Sequence, residues 1–221
     1  MSTTATSERG RGFAFAIASY VWWGFLPLFF VALVPAGAVE IVAWRIVLSV
    51  VFCALIILVT RAWAPFVAIT RDRRSMLLLG AASVFILVNW LVYVFAAVSG
   101  HVVEASLGYF INPIVTVLLG VIVLRERLRV LQWVAVGISA VAVIVLAVNY
   151  GQPPWISLVL AFSFGLYGLV KKQVGPKVDA VSGLTIETAY LAPAASIALI
   201  VIAMQGGLTM GAISVWHTVL L

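Results

Sequence analysis

The chain has 221 residues, of which 65% are hydrophobic and only 9% are charged, and its mean hydropathy is +1.23. Soluble domains have an apolar share of about one half, so this composition excludes a water-soluble globular protein. The formal net charge of +6 could suit a nucleic-acid-binding protein. We expect no nucleic-acid partner, because the basic residues lie in alternate loops, where they set the orientation of a membrane protein.

Seven apolar stretches are each long enough to cross a bilayer as a helix, which takes about 17 to 25 residues. A closed barrel is the other way to span a membrane, but its strands would appear as alternating segments of about ten residues. The sequence therefore predicts an all-α polytopic membrane protein, with the lipid bilayer as its surroundings. The predicted spans are 12–33, 38–60, 75–98, 105–124, 130–148, 154–170 and 182–204.

The basic residues alternate between successive loops. All Lys and Arg residues except Arg45 lie before the first span or in every second loop, and the loops 34–37, 99–104, 149–153 and 205–217 contain none. Cytoplasmic loops of membrane proteins carry the Lys and Arg excess. We therefore expect a multi-pass protein of the cell membrane whose N-terminal tail, residues 1–11, is cytoplasmic.

A weak internal repeat suggests how the spans are organised. The segment SYVWWG at Ser19–Gly24 matches SFGLYG at Ser163–Gly168 in its Ser, aromatic and Gly positions. These segments lie in spans one and six, which run in opposite directions, as an inverted repeat requires. The sequence predicts an inverted 5+5 helix repeat, with the first repeat at 12–148 and an incomplete second repeat at 154–221.

The C-terminal residues resemble the start of an eighth span. Trp216–Leu221 is apolar and follows a polar loop, but it is too short to cross the hydrocarbon. We expect the second repeat to be truncated after about seven helices. Either the sequence is a fragment, which we favour, or the gene is truncated.

Polar residues inside the predicted spans are costly and therefore point to function. Arg45 lies within span two, five residues after Glu40, and this spacing places the two side chains about 140° apart on the helix. Arg45 must therefore find a partner on another helix or bind an anionic group. The candidate carboxylates are Glu40, Glu104 and Glu187.

Span four has a polar or small residue at every fourth position. The set is Glu104, Gly108, Asn112, Thr116 and Gly120. Pro113 removes a backbone donor beside Asn112, so we expect a helix break there, and another at Pro27 in span one. This pattern is typical of a transport site, but small residues also permit close helix packing, and both interpretations stay open.

Aromatic and polar residues of five spans together predict a central pocket. Trp23 is at the centre of span one, where a belt of interfacial tryptophans would not lie. Asn89 and Tyr93 are one turn apart in span three. We predict a substrate pathway lined by Trp23, Arg45, Asn89, Tyr93, Tyr109, Asn112 and Tyr167.

Enzyme chemistry has little support in the sequence. His101 and Glu104 are three residues apart, but His217 is the only other histidine, so we predict neither a metal site nor a cofactor. No Ser, Thr or Cys is arranged with a base as a nucleophile would be. We therefore predict no catalytic residue, and the alternative to a transporter is a channel or a non-transporting membrane partner.

The chain resembles the RarD-type proteins of the EamA group in the drug/metabolite transporter superfamily. The resemblance rests on Asn89 and Trp90 and on three segments: EASLGYFINP at Glu104–Pro113, AFSFGLYGLVKK at Ala161–Lys172 and GLTIET at Gly183–Thr188. It implies ten spans, about three more than are present here. It also implies a bacterial inner-membrane permease that moves a small metabolite or drug-like molecule by alternating access.

The resemblance has one departure and leaves several properties open. Trp44 stands where relatives have a histidine before the arginine, which places a titratable role at this position in doubt. The identity of the small-molecule substrate, the direction of transport, proton coupling and a homodimer are left open.

Overall fold

The computed structural model describes residues 3–150 and 154–210, with side chains described from residue 12 onward except at positions 146, 147, 149 and 150. In these ranges the chain forms helices and no strand. The helices are α1 Thr3–Ala32, α2 Ala38–Val59, α3 Trp63–Arg71, α4 Arg73–Val98, α5 Val102–Leu124, α6 Val130–Tyr150, α7 Trp155–Val174 and α8 Ala180–Met204.

The prediction of an all-α polytopic membrane protein is confirmed. Six helices are long and apolar enough to cross a membrane, namely α2, α4, α5, α7, α8 and the Gly12–Ala32 part of α1. The remaining predicted span, 130–148, corresponds to α6, which is described as apolar over Val130–Val145. The predicted start of an eighth span, at 216–221, lies outside the described residues.

Three features of the helices differ from the predictions. Helix α1 begins at Thr3 and so extends into the predicted tail. Helices α1 and α5 continue through Pro27 and Pro113, so neither proline breaks its helix. Neighbouring helices and local adjustments can satisfy the one backbone group that each proline frees, and spanning helices therefore tolerate it. The short helix α3, inside the basic loop between α2 and α4, was not predicted.

Side-chain contacts gather the basic loops at one end of the bundle. Lys172 pairs with Glu126 of the α5–α6 loop, and Lys177 lies 3.9 Å from Asp72, which precedes α4. We call this the basic end. The opposite end, where α4 leads into α5 and α8 ends, is the non-basic end, and there Ser157 Oγ donates a hydrogen bond of 2.6 Å to the carbonyl of Glu104.

Aspartate caps begin two helices at the basic end. Asp72 accepts hydrogen bonds from the Arg74 amide and the Ser75 hydroxyl at the start of α4, and Asp179 accepts from the Ser182 amide at the start of α8. Such caps satisfy amides that a helix start leaves unpaired. The hydrogen bond from the Ser75 hydroxyl is the main cause that lowers the pKa of Asp72.

Helix α4 is central, because it packs against α1, α2, α5, α7 and α8. Helix α5 packs closely on α7, where a Cβ added to Gly108 would lie 2.9 Å from the carbonyl oxygen of Ser157. At Gly165 an added Cβ would lie 2.9 Å from Cγ1 of Val115. These two glycines therefore permit close helix contact, as small residues do in membranes.

Candidate functional site

Arg45 lies on α2 with its guanidinium over the indole ring of Trp90 on α4, 4.3 Å from the ring centroid. The side chain is half-buried. A cation over a tryptophan face is attracted by the negative potential of the ring, and this attraction strengthens when the pair is removed from water. Trp90 therefore holds the Arg45 side chain, which lies well inside its spanning helix, by a cation–π contact.

A cavity of about 400 Å³ lies beside this pair. It brings together five of the seven residues predicted for the substrate pathway: Trp23, Arg45, Asn89, Tyr93 and Tyr109. Its other lining residues are Gly24, Leu26, Pro27, Trp90, Val102, Ser106 and Phe164. Trp23, Gly24 and Ser106 are exposed, so the cavity is open between α1 and the first turns of α5.

The cavity wall is a continuous aromatic cluster. The ring of Tyr109 lies 5.6 Å from Tyr93, 6.1 Å from Phe164 and 6.4 Å from Trp23, measured between centroids. Phe164 and Tyr167 continue the cluster towards the basic end, with centroids 5.9 Å apart. These separations lie within the range at which aromatic pairs attract each other beyond simple burial.

A second cavity, of about 490 Å³, reaches Arg45 from the other side. Apolar side chains of α1 and α2 form most of its wall, including Phe30, Leu33, Ile41 and Phe52. Phe52 is exposed and lies on a spanning helix, so this space opens towards the lipid-facing surface. The sequence predicted one central pocket, whereas the described residues form two cavities with Arg45 between them.

Asn89 is both a lining residue and a link between helices. Its side-chain amide donates to the carbonyl oxygen of Leu160 at 3.2 Å and to the hydroxyl of Ser163 at 3.1 Å, both on α7. Only 2% of Asn89 is exposed. Because both bonds cross between helices, Asn89 holds α4 against α7 at the depth of the cavity.

Asn112 and Tyr167 do not line the cavity around Arg45. Asn112 is half-buried, and its side-chain oxygen accepts a hydrogen bond of 3.2 Å from the Thr116 hydroxyl one turn along α5. Tyr167 lies nearer the basic end, where its hydroxyl donates to Oε2 of Glu187 at 3.2 Å. Their part in a substrate pathway stays a prediction.

The three candidate carboxylates are engaged elsewhere. Glu40 accepts hydrogen bonds from the Thr209 amide, the Thr209 hydroxyl and the Met210 amide. Glu187 pairs with Lys171 at 2.8 Å, and Glu104 Oε1 lies 3.8 Å from Nε2 of His101.

The ion pairs among the described side chains therefore do not include Arg45. Sequence spacing showed that Arg45 needs a partner on another helix, and the structure supplies Trp90 in the place of a carboxylate.

Of the seven other lining residues, three have polar or aromatic side chains that the predicted pathway did not include: Trp90, Ser106 and Phe164. Trp90 and Phe164 are within sequence segments that carry the family resemblance, and Phe164 is also the second residue of the repeated segment SFGLYG. A signal was therefore present for both. Ser106 also lies in a segment that carries the resemblance, Glu104–Pro113, but it is exposed on the first turns of α5 and its hydroxyl donates to the Val102 carbonyl of its own helix, so its chemistry does not set it apart.

The fold and the cavity define a polytopic helical membrane protein with a charged, aromatic-walled cavity among its spans. Residues 10–148 match the model of the EamA-like transporter family. The chain belongs to this family, and its resemblance to RarD-type proteins is confirmed by its relatives.

Protein RarD of Streptomyces exfoliatus is 46% identical over 98% of this chain and 68% of its own length. An uncharacterized transporter of Vibrio cholerae is 40% identical over 90% of this chain and 65% of its own length. The uncharacterized transporter YojE of Bacillus subtilis is 41% identical over 86% of this chain and 64% of its own length. The chain thus spans about two thirds of these curated relatives. No solved structure matches the chain.

Proposed function

We propose that this chain is part of a secondary transporter that moves a small metabolite or drug-like molecule across the bacterial inner membrane through the cavity beside Arg45. The observation that carries the proposal is a guanidinium inside the spanning region, held over Trp90 and without a carboxylate partner among the described side chains. An arginine in this setting is expensive to insert into the bilayer. Such residues mark substrate paths more often than they serve packing alone.

Alternating access is supported by the position of the cavity. It is lined by Val102 and Ser106 in the first turns of α5, which begins at the non-basic end. Towards the basic end it is followed by Phe164, Tyr167 and the Lys171–Glu187 ion pair. A cavity that lies nearer one end, with an aromatic cluster and an ion pair between it and the other end, suits a transporter that opens to each side in turn.

The inverted repeat remains part of the proposal. Helices α2 and α8 would be the second helices of the two repeats, and they pack directly against each other. Helices related by a two-fold axis pack against each other where they lie next to that axis, so the α2–α8 contact is compatible with the assignment. The first repeat would be 12–148, and the second would begin at 154.

The proposed orientation places the basic end and the N-terminus in the cytoplasm, because Lys and Arg are retained on that side. Fusions of a periplasm-active reporter to the loops 61–74 and 99–104 would check this. Activity from a fusion in the loop 61–74 would overturn the orientation. Proton coupling and a homodimer remain predictions.

The transport test begins with a metabolite comparison between cells with and without the intact gene. The compound that accumulates or disappears is then used with the full-length gene product in vesicles. We expect saturable, gradient-dependent movement that Arg45→Gln and Tyr109→Phe reduce at unchanged protein abundance. Tyr190→Phe is the matched control, because the Tyr190 hydroxyl donates to Met76 away from the cavity. Unchanged flux in Arg45→Gln would refute the assigned path.

The same vesicles separate the alternatives. A channel would give flux that does not saturate, and an enzyme would give a chemically altered product. A non-transporting partner would give no gradient-dependent flux of the compound. A purely structural Arg45 would lower abundance together with flux, so abundance is measured in every variant.

A further inference from the structure

The charge of Arg45 is available to a ligand. This inference rests on the proposed function and concerns the same cavity. Glu40 is held by Thr209 and Met210, and Glu187 is held by Lys171. The guanidinium faces the ring of Trp90, which offers attraction but does not neutralise its charge. A half-buried positive charge within a spanning helix favours an anion beside it, because removing a charge from water is costly unless the charge is paired.

The hydroxyls of Tyr93 and Tyr109 are also available. Both side chains line the cavity, and in the part of the chain that the structure describes neither hydroxyl has a hydrogen-bond partner. Neither oxygen is among the fully enclosed side-chain atoms that lack a partner, so each has accessible surface. Buried phenol hydroxyls normally find a partner. A bound oxyanion would supply one to each.

The remaining walls favour a flat ring. Trp23, Tyr93, Tyr109 and Phe164 surround the cavity with centroid separations of 5.6 to 6.4 Å. Aromatic side chains bind a further ring by offset stacking or edge-to-face contact. The volume of about 400 Å³ is near the lower end of the range for small-molecule sites, about 300 to 1,000 Å³. The site is therefore sized for a small molecule.

From these contacts we infer that the cavity binds a small aromatic monoanion, with its carboxylate at Arg45 and the Tyr93 and Tyr109 hydroxyls and its ring against Trp23 and Phe164. Among the residues that the structure describes, the lining contains one basic side chain and no acidic one. An organic cation would therefore meet an unopposed positive charge, and a dianion would leave one of its charges without a partner. The cavity therefore discriminates between ligands by their net charge and by whether they contain an aromatic ring.

The test uses a matched series of probes with the unmodified full-length protein in detergent micelles. The probes are 3-phenylpropionate, its neutral amide 3-phenylpropionamide, the cation phenethylamine, and hexanoate as an anion without a ring. Binding is measured by isothermal titration calorimetry, and protein-free micelles give the correction for partitioning. We expect 3-phenylpropionate to bind more tightly than the amide and the cation by about tenfold or more, the scale of one charge-assisted hydrogen bond. It should also bind more tightly than hexanoate, by about two- to tenfold, because hexanoate lacks the ring contacts.

Two variants assign this preference to residues. Arg45→Gln is expected to bring the acid and the amide to similar affinities, and Phe164→Leu to weaken 3-phenylpropionate while leaving hexanoate unchanged. Lys172→Gln is the matched control, because this exposed cation pairs with Glu126 at the basic end. Its affinities should equal those of the unmodified protein.

The outcomes separate this inference from the proposed function. Equal binding of acid and amide, preference for phenethylamine, or no binding of any probe overturns the aromatic monoanion as ligand class. Because the probe series uses the unmodified protein, this conclusion does not depend on whether Arg45→Gln folds. Saturable, gradient-dependent flux of the compound from the metabolite comparison would still support a transporter in those cases. Absence of all such flux would instead remove the proposed function itself.

Discussion

Lys171 and Glu187 form an ion pair of 2.8 Å between the last turn of α7 and the first half of α8. The side chain of Glu187 is 1% exposed and that of Lys171 is 29% exposed. The Tyr167 hydroxyl donates a second hydrogen bond to the same carboxylate. A buried carboxylate with two partners thus fixes the contact of α7 with α8 at the basic end, beyond the aromatic cluster that bounds the cavity.

Lys171→Met is expected to destabilise the protein more than Glu187→Gln. Removing Lys171 leaves a buried negative charge with one phenol as its partner, whereas removing the charge of Glu187 leaves a lysine that can reach solvent. Breaking a buried pair costs about 3 to 5 kcal/mol, and the partial exposure of Lys171 favours the lower value, about 3 kcal/mol. Thermal unfolding in micelles measures the difference, and the Lys171→Met/Glu187→Gln double variant should recover part of the loss.

Lys172→Met provides the control for this prediction. Lys172 and its partner Glu126 are 58% and 47% exposed, and exposed pairs contribute at most about 1 kcal/mol. Lys172→Met should therefore leave the free energy of unfolding nearly unchanged. Equal destabilisation by Lys171→Met and Lys172→Met would show that the buried pair has no special role.

Asn89→Leu is expected to loosen the contact between α4 and α7. The variant loses two interhelical hydrogen bonds, and such bonds in membrane proteins average about 0.6 kcal/mol each, with a maximum of about 1.7. We expect a loss of about 1 to 2 kcal/mol in the free energy of unfolding in micelles. A double-mutant cycle with Ser163→Ala should give a favourable coupling energy between Asn89 and Ser163.

Ser83→Ala is the matched control on α4. Ser83 is 2% exposed, like Asn89, but its hydroxyl donates only to the Gly80 carbonyl of its own helix. Little change in stability is expected. If Asn89→Leu and Ser163→Ala prove additive, the hydrogen bond between their side chains does not hold the helices together.

The spans could be predicted from the sequence because each depends on local hydropathy over about 20 residues. The cavity was partly predictable for a related reason. Polar and aromatic residues in mid-span are costly or unusual wherever they occur, so Trp23, Arg45 and Tyr93 stood out before any contact was known.

The partners of these residues could not be predicted, because they are distant in the chain. Asn89 bonds to residues 71 and 74 positions away, and Glu40 accepts from amides 169 and 170 positions away. Several carboxylates were plausible partners for Arg45 by charge alone. Only the packing of α2 against α4 places Trp90 beside Arg45. Likewise, only the approach of α7 and α8 at the basic end brings Glu187 to Lys171.

Alanine substitutions at three glycines should affect the stability of the protein to different degrees, according to the atoms that surround each glycine. At Gly108 the new Cβ would meet backbone atoms of Ser157 at 2.9 and 3.1 Å, which cannot move without shifting α7. At Gly165 it would meet the side-chain methyls of Val115 and Leu119 at 2.9 and 3.3 Å. We expect both to destabilise by about 1 to 3 kcal/mol, with Gly108→Ala the more severe.

Gly168 is the control, because it lies on α7 one turn from Gly165 and an added Cβ would have nothing within 4 Å. Gly168→Ala should be neutral or stabilising by up to about 1 kcal/mol, since alanine is the better helix former. Unfolding in micelles measures all three. If Gly168→Ala reduced the stability as much as Gly108→Ala, the close contact of α5 with α7 would not be the cause of the loss at Gly108.

The cap of α4 predicts a dependence of stability on acid pH. The hydrogen bond from the Ser75 hydroxyl is the largest cause that lowers the pKa of Asp72 from its ordinary value of 3.8. Hydrogen bonds from backbone amides and the positive charge of Lys177 lower it further. A carboxyl group whose pKa is lower in the folded state stabilises that state above the unfolded pKa. This contribution is lost as the pH falls through the folded-state pKa.

Ser75→Ala should therefore raise the pKa of Asp72 towards 3.8 and reduce the extra stability that the charged cap provides above that pH. The thermal midpoint of Ser75→Ala should fall less steeply between about pH 5 and pH 2 than that of the unmodified protein. Asp72→Asn should remove this component of the pH profile, because asparagine caps a helix but does not titrate in this range. Thr70→Val is the control, since the Thr70 hydroxyl donates to the Val67 carbonyl and to no carboxylate. Profiles of Ser75→Ala and Thr70→Val that coincide would show that the Ser75 hydroxyl does not stabilise the charged form of Asp72.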